Sequence, residues 1–246
     1  MKGGKFMNEN EYSITLLGDS ISKGVVYDEE KGKYVILKDS FCNLVQNKLK
    51  GAVYNAGKFG STIMKGSKRL YEDLTKKKPD IVVIEFGGND CDFNWQEVAE
   101  NPFEEHKPNT ELNIFEETLK KIIVNLKELN IVPVLMTLPP LDPNKYYKWI
   151  SERSKDYSQN ILKWLGNVNT IYSWHENYNS VIIKLAKETQ TNLIDVRSEF
   201  LNTDNYTSYL CADGIHPNRL GHKFIADKLT DYIKSNYNFL LKDAEV

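Results

Sequence analysis

The 246-residue chain is poor in the features that mark stapled, membrane-spanning or nucleic-acid-binding proteins. Its three cysteines, Cys42, Cys91 and Cys211, are odd in number and far apart, which excludes a disulfide framework or a CxxC metal site. No stretch approaches the ~18 consecutive apolar residues of a transmembrane helix, so no stable membrane insertion is expected. Neither sign of charge dominates, since 32 Lys and Arg stand against 34 Asp and Glu. That balance leaves no electrostatic footprint for nucleic acid or an anionic membrane. The run Lys76-Lys77-Lys78 reads as a solvated helix end. The opening MKGGKFMNENEY has no apolar segment of the signal-peptide kind, and a cytoplasmic location is expected.

Internal repeats, low-complexity tracts and Gly/Ser linkers are also missing, which points to one domain over residues 1–246. What is present is ordinary globular composition, 41% hydrophobic and 27% charged, in a chain long enough to bury a core without staples. Short apolar runs alternate with longer amphipathic stretches. Strands are predicted at 13–17, 52–54, 81–86, 132–138 and 193–196, and helices at 40–50, 66–76, 113–129 and 219–234. The run Ile81-Val82-Val83-Ile84-Glu85-Phe86 is the pattern of a strand buried on both faces. Such alternation implies an α/β fold with a parallel sheet covered by helices, whose ligands sit beyond the carboxyl ends of the strands.

Polar blocks fall just after those strands. Gly18-Asp19-Ser20 follows the first, Asn55-Ala56-Gly57-Lys58-Phe59-Gly60 the second, and Gly87-Gly88-Asn89-Asp90 the third. Asp213-Gly214-Ile215-His216-Pro217 lies between the last strand and the last helix. Taken singly, each block reads as a turn or a helix cap. Together they supply the parts of acyl transfer, which needs a hydroxyl nucleophile, an imidazole, an orienting carboxylate and oxyanion donors. Ser20, His216 and Asp213 can fill the first three roles. The backbone N–H groups of Ser20 and Gly60, with the Asn89 side-chain amide, can fill the fourth.

With these residues the chain resembles the SGNH hydrolase superfamily, the GDSL-type esterases, lipases and acylhydrolases. The four letters correspond to Ser20, Gly60, Asn89 and His216. Ile21 stands where the GDSL name has Leu, a minor hydrophobic departure. Gly60 rather than Gly57 is taken as the oxyanion glycine, because the family's glycine lies several residues beyond the Asn-Ala turn. The resemblance implies a three-layer α/β/α sandwich with a flavodoxin-like parallel sheet. It also implies a serine-dependent carboxylic ester hydrolase that works through an acyl-enzyme and needs no metal or organic cofactor. Asp19 is expected to brace the nucleophile turn without acting on substrate.

Residues 139–173 break the alternation and hold a dense aromatic set, Tyr146, Tyr147, Trp149, Trp164 and Tyr172. They read either as a helical cap over the site or as a helix pair packed on the sheet, with some of the aromatics doing each. Phe93, Trp95, Tyr146 and Trp149 are the candidate substrate-binding residues. His175 is expected to be structural, at the start of a helix through Ala186, His222 to cap or pack, and His106 to be solvated. Cys91 reads as a small apolar filler. The polar, aromatic-rich rim favours small acyl esters, acetyl in particular, of a small-molecule alcohol such as a carbohydrate. Alternatives are a lysophospholipase or thioesterase, or an O-acyltransferase using the same triad. Outside enzymes stands a flavodoxin-like module holding phosphate on Lys58-Phe59-Gly60-Ser61-Thr62. That loop lacks the GxxxxGK[ST] pattern, and no long helix is expected immediately after it. Oligomeric state is not legible in the sequence.

Overall fold

A computed structural model describes residues 12–152 and 155–242, apart from the side chains at 71, 73, 75, 76 and 155. The N-terminal residues bearing on a leader, and the Lys76 side chain, lie outside that description. Along the chain, β1 (Ser13–Gly18) leads into a short helix α1 (Ser20–Lys23) and a hairpin of β2 (Val25–Asp28) and β3 (Lys33–Ile36). Next come α2 (Phe41–Lys48), β4 (Ala52–Asn55), α3 (Ile63–Lys77), β5 (Ile81–Glu85), α4 (Trp95–Glu100) and α5 (Leu112–Glu128). Then follow β6 (Val132–Met136), α6 (Pro143–Ser151), α7 (Lys155–Leu165), α8 (Asn169–Glu188), β7 (Asn192–Ile194), α9 (Val196–Leu201) and α10 (Arg219–Tyr237).

Five strands form one parallel sheet in the order β4-β1-β5-β6-β7. Counted along the chain that is 2-1-3-4-5, the flavodoxin-like order. The apolar run of β5 is explained by its two buried faces. Val82 and Ile84 point with Leu17 and Leu135 into a core shared with α3, α5 and α8. Ile81 and Val83 point with Val134 and Met136 into a second core shared with α2, α9 and α10. The result is the three-layer α/β/α sandwich. Among the described residues, no helix is long and apolar enough to cross a membrane.

Three features differ from the sequence expectations. A long helix, α3, does start immediately after the 58–62 loop, three residues before the expected Gly66. Its cap comes from far along the chain: the Asp90 carboxylate accepts from Ile63 N–H at 3.0 and 3.2 Å. Gly66 disguises the first turn, and it is there because a Cβ would meet the Phe86 ring at 2.3 Å. Likewise α8 begins at Asn169, well before Trp174, with Asn167 Oδ1 accepting from Asn169 N–H at 2.8 Å. The β2–β3 hairpin had no counterpart in the sequence expectations.

The 139–173 segment becomes α6, α7 and the first turn of α8. Its aromatics do not simply pack on the sheet. Leu141, Tyr146, Ile161, Leu165 and Ile171 join Phe93, Trp95 and Val98 of the α4 region in a separate apolar cluster. That cluster stands over the carboxyl end of the sheet and roofs the site.

Candidate active site

The strand order reverses at β1, whose neighbours are β4 and β5, and the crevice of such a sheet opens at that point. Ser20 sits there as the first residue of α1. Asp19 caps the turn, its Oδ1 accepting from Ile21 N–H at 2.8 Å. The Ser20 N–H has no acceptor within its own helix, as at any helix start. Asn55 Nδ2 donates to Ser22 O at 2.7 Å and ties the end of β4 to α1. The two glycines beyond it differ in kind. A Cβ on Gly57 would fall 2.5 Å from Lys23 N and 2.9 Å from Asp19 O, so Gly57 is a close backbone contact. Gly60, at φ 64°, has nothing within 4 Å of where a Cβ would lie and borders the cavity.

His216 reaches Ser20 from the segment before α10. Its Nε2 lies 2.9 Å from Ser20 Oγ, and its Nδ1 2.6 Å from Asp213 Oδ2. Asp213 Oδ1 accepts from the N–H groups of Ile215 at 3.0 Å and His216 at 3.1 Å. Burial pushes the Asp213 carboxyl up, but the His216 hydrogen bond, its charge and those two N–H groups outweigh burial and hold it below the usual range. Asp213 is therefore an anion that only accepts, so the imidazole proton sits on Nδ1. The Nε2 lone pair then faces the Ser20 hydroxyl. An imidazole held this way can take the hydroxyl proton as Oγ attacks a carbonyl.

Asn89 follows β5, and its Nδ2 donates to Asp19 Oδ2 at 2.9 Å, leaving the second amide hydrogen for the cavity. Beneath Asp19 lies Glu85, fully buried, with Oε2 accepting from Ser22 Oγ at 2.8 Å. Burial first, then the neighbouring Asp19 charge, push the Glu85 carboxyl well above its ordinary value. Glu85 is thus the neutral member of the pair, since two adjacent buried carboxyls do not both ionise. Burial also raises Asp90 to about 7 and Asp92 to about 6. Among the described residues, no group of three or more His, Cys, Asp or Glu is placed to hold a metal ion.

These residues open into a cavity of about 250 Å³. Of the expected substrate-binding residues, Trp95, Tyr146 and Trp149 line it. Asp92 Oδ1 fixes two of them, accepting from Trp95 Nε1 at 2.7 Å and Tyr146 Oη at 2.8 Å. Phe93 does not line it: the ring turns away and packs on Trp174 and Trp164, with centroids 4.5 and 5.0 Å away. Phe93 packs within the apolar cluster, while Trp95, held by Asp92, belongs to that cluster and also borders the cavity. Sequence reasoning missed Tyr34, Phe59 and Trp174 as lining residues. The Phe59 ring lies parallel to His216 at 6.3 Å, and Tyr34 is 5.2 Å from the same imidazole. A signal for Tyr34 existed in VVYD-EEKG-KYVI, two β-prone runs around a four-residue loop ending in glycine.

The other candidates fall away from the reacting atoms. His222 is buried and stacked on Phe41 at 5.7 Å. His106 is not simply solvated, because its ring stands edge-on to Trp164 at 5.3 Å and its Nε2 contacts Asn101 O at 2.9 Å. Cys91 borders the cavity, but burial pushes its thiol well above the ordinary value, and Sγ lies 3.3 Å from Gly88 O. A thiol so placed is no ready nucleophile.

A hydroxyl, an imidazole and a carboxylate in line at the strand ends of a flavodoxin-like sheet describe a serine-type hydrolase. The chain belongs to the GDSL-like lipase/acylhydrolase family, whose model matches residues 16–224. As a member it is an esterase of the acylhydrolase kind. It is 25% identical over 229 residues to thioesterase 1/protease 1/lysophospholipase L1 of Escherichia coli K12, covering 92% of this chain and 85% of that protein. It is 26% identical over 223 residues to the acetylxylan esterase of Geobacillus stearothermophilus, covering 87% of this chain and 90% of that protein. Among solved structures, a lipase/acylhydrolase from Enterococcus faecalis superposes with a TM-score of 0.69 at 22% identity, over 96% of this chain and 100% of that one. A catalytic mutant of the Geobacillus acetylxylan esterase gives 0.63 at 23% identity, over 95% and 98%. These structural likenesses speak for the fold.

Proposed function

We propose that this esterase removes small acyl groups, acetyl above all, from hydroxyl-rich alcohols of the carbohydrate kind, through an acyl-enzyme on Ser20. The observation that carries the chemistry is the continuous line Ser20 Oγ–His216–Asp213, with spacings of 2.9 and 2.6 Å. Ser20 Oγ attacks the ester carbonyl as its proton passes to His216 Nε2. The oxyanion forms against Ser20 N–H, Gly60 N–H and Asn89 Nδ2, donors of a kind worth roughly 3–4 kcal/mol each in comparable sites. His216 returns the proton to the departing alcohol. Water then attacks the acyl-enzyme with His216 again as base, releasing the acid and restoring Ser20.

The substrate reading rests on the cavity and on one relative. At about 250 Å³ the cavity is below the ~300–1,000 Å³ of drug-sized ligand sites, and the aromatic cluster roofs it. That suits a short acyl group with a compact alcohol, and the Geobacillus relative is an acetylxylan esterase by name. The E. coli relative, named for thioester and lysophospholipid chemistry, marks the second reading. If a sugar hydroxyl replaced water in the last step, the same acyl-enzyme would act as a transferase, and product analysis with an added acceptor separates the two. The three free, buried cysteines suit a reducing compartment, and we place the enzyme in the cytoplasm.

Ser20→Ala tests the assignment. It should abolish p-nitrophenyl acetate hydrolysis and fluorophosphonate labelling while leaving the circular dichroism spectrum unchanged. Retained hydrolysis in a folded Ser20→Ala protein overturns it.

A further inference from the structure

The cavity contains a polar group that neither the triad nor the oxyanion donors use. His175, on the second turn of α8, lines the cavity although only 5% of its surface is exposed. Its Nδ1 stands 3.2 Å from Arg197 Nη1. A guanidinium only donates, so Nδ1 is the acceptor and the ring's single proton is on Nε2. Burial, then the Arg197 charge, push the imidazole down to about 3, which keeps it neutral. Among the described residues, no protein group partners Nε2, which is left facing the cavity.

The support behind His175 is built for orientation. Arg197 is itself buried, and its Nη1 also donates to Leu138 O at 3.3 Å. Its Nε lies 2.6 Å from Glu176 Oε2, and its guanidinium covers the Tyr172 ring at 4.8 Å. A buried guanidinium is costly to desolvate; here Nη1 is hydrogen-bonded, Nε is ion-paired and the plane covers Tyr172, while Nη2 has no hydrogen-bond partner among the described residues. The consequence at the cavity is a fixed N–H beside side chains that include Trp95, Tyr146, Ile171 and Trp174.

We propose that His175 Nε2–H is a specificity donor that pairs with a hydroxyl oxygen on the alcohol part of the ester, so that this subsite accepts a polyhydroxylated alcohol and discriminates against a purely hydrocarbon one. The proposal rests on the ester-hydrolase reading above. An acetyl group fills only a small part of about 250 Å³, so the remaining space belongs to the alcohol. Aromatic walls pack on the apolar faces of a sugar ring, and the fixed N–H meets one of its hydroxyls. A hydrocarbon in the same place strands a buried donor, which discriminates by roughly ten- to a hundredfold.

The test compares kcat/KM for a monoacetylated methyl glucoside with that for cyclohexyl acetate, which has the ring but no hydroxyl. Wild type should prefer the sugar ester by about tenfold or more. His175→Leu should erase most of that preference by losing sugar-ester activity, with cyclohexyl acetate changed by less than about threefold. His175→Gln, whose amide N–H extends about as far as Nε2, should recover much of it. Equal losses on both esters, or an undiminished preference in His175→Leu, overturn the proposal. If His175→Leu does not fold, the wild-type ratio and the Gln variant decide: a preference for cyclohexyl acetate, or a Gln variant that loses both esters alike, overturns it. Hydrolysis of phenyl acetate by wild type keeps the two readings apart. If it occurs and the sugar preference does not, only the His175 proposal falls; if it does not occur, the ester-hydrolase reading fails and takes the proposal with it.

Discussion

Asp19 Oδ2 accepts from Asn89 Nδ2 at 2.9 Å, so the aspartate beside Ser20, the proposed nucleophile, aims an amide carried by another loop. The other oxygen of the same carboxylate caps Ile21 N–H at 2.8 Å. One side chain thus fixes both the turn that presents Ser20 and the proposed oxyanion donor. Below it, the neutral Glu85 carboxyl lets Asp19 stay an acceptor.

Asn89→Ala should therefore lower kcat by roughly 10²–10³ with little change in KM, because the oxyanion exists only on the way to the tetrahedral intermediate. Asp19→Ala should cost a smaller factor, about tenfold, by letting the Asn89 amide swing. The two losses should multiply less than fully in the double variant, since removing Asn89 leaves Asp19 only the Ser20 turn to hold. Strict additivity in this cycle, measured with p-nitrophenyl acetate, would separate Asp19 from the oxyanion donor.

Asp213→Asn should reduce kcat by about 10⁴, as in analogous triads, while leaving the fold intact. An asparagine amide facing Nδ1 donates where Asp213 accepts, and so pushes the imidazole proton to Nε2. Nε2 then has no lone pair for the Ser20 hydroxyl. Fluorophosphonate labelling of Ser20 should slow in parallel; unchanged labelling would remove Asp213 from the chain.

What the sequence disclosed and what it hid divide along physical lines. Ile81–Glu85 was legible because a strand buried on both faces must be apolar throughout. Three of the four polar blocks were legible because each directly follows a strand, and the fourth, Asp213 to Pro217, because it leads into the last helix. The first turn of α3 was not, since its cap, Asp90, lies on a distant loop. The grouping of Tyr34, Phe59 and Trp149 around the mouth was equally hidden, because three distant segments supply one ring each. Glu85 and Arg197 are of residue types that are mostly exposed, yet both are buried. Only packing reveals that one supports Asp19 and the other His175.

The raised carboxyls predict an uncommon pH dependence of stability. Asp90 near 7 and Asp92 near 6 hold protons that the unfolded chain, with carboxyls near 4, has already released. Between about pH 4 and 7 these two groups therefore bind more protons in the native state, and their contribution to stability falls as pH rises through that window. Asp213 works in the opposite sense: its depressed value stabilises the fold above pH ~4 and ceases to do so as pH drops further. His175 and His222, buried and held neutral at about 3 and about 4, act in that same opposite sense, because the unfolded chain takes up their protons below about pH 6.5. The melting temperature should accordingly climb from pH 8 towards about 6.5 and fall below about 4. Asp90→Asn should flatten the upper limb, and a melting temperature that rises steadily from pH 6.5 to 8 would contradict the burial argument.

The roof over the cavity sets the expected acyl-length profile. Asp92 anchors Trp95 and Tyr146 through two hydrogen bonds, and Tyr146 is buried between the cavity and the apolar cluster of α6, α7 and α4. Moving either side chain costs the half-buried Asp92 carboxyl one of its two donors, which holds both in place. A p-nitrophenyl ester series should therefore peak at acetate or propionate and decline from butyrate onwards in kcat/KM. Tyr146→Phe frees the ring from Asp92, and should lower stability by about 1–3 kcal/mol while relaxing the decline at longer chains. A wild-type maximum at octanoate or beyond would instead place the enzyme with lysophospholipid or thioester chemistry, and would require the roof to open in solution.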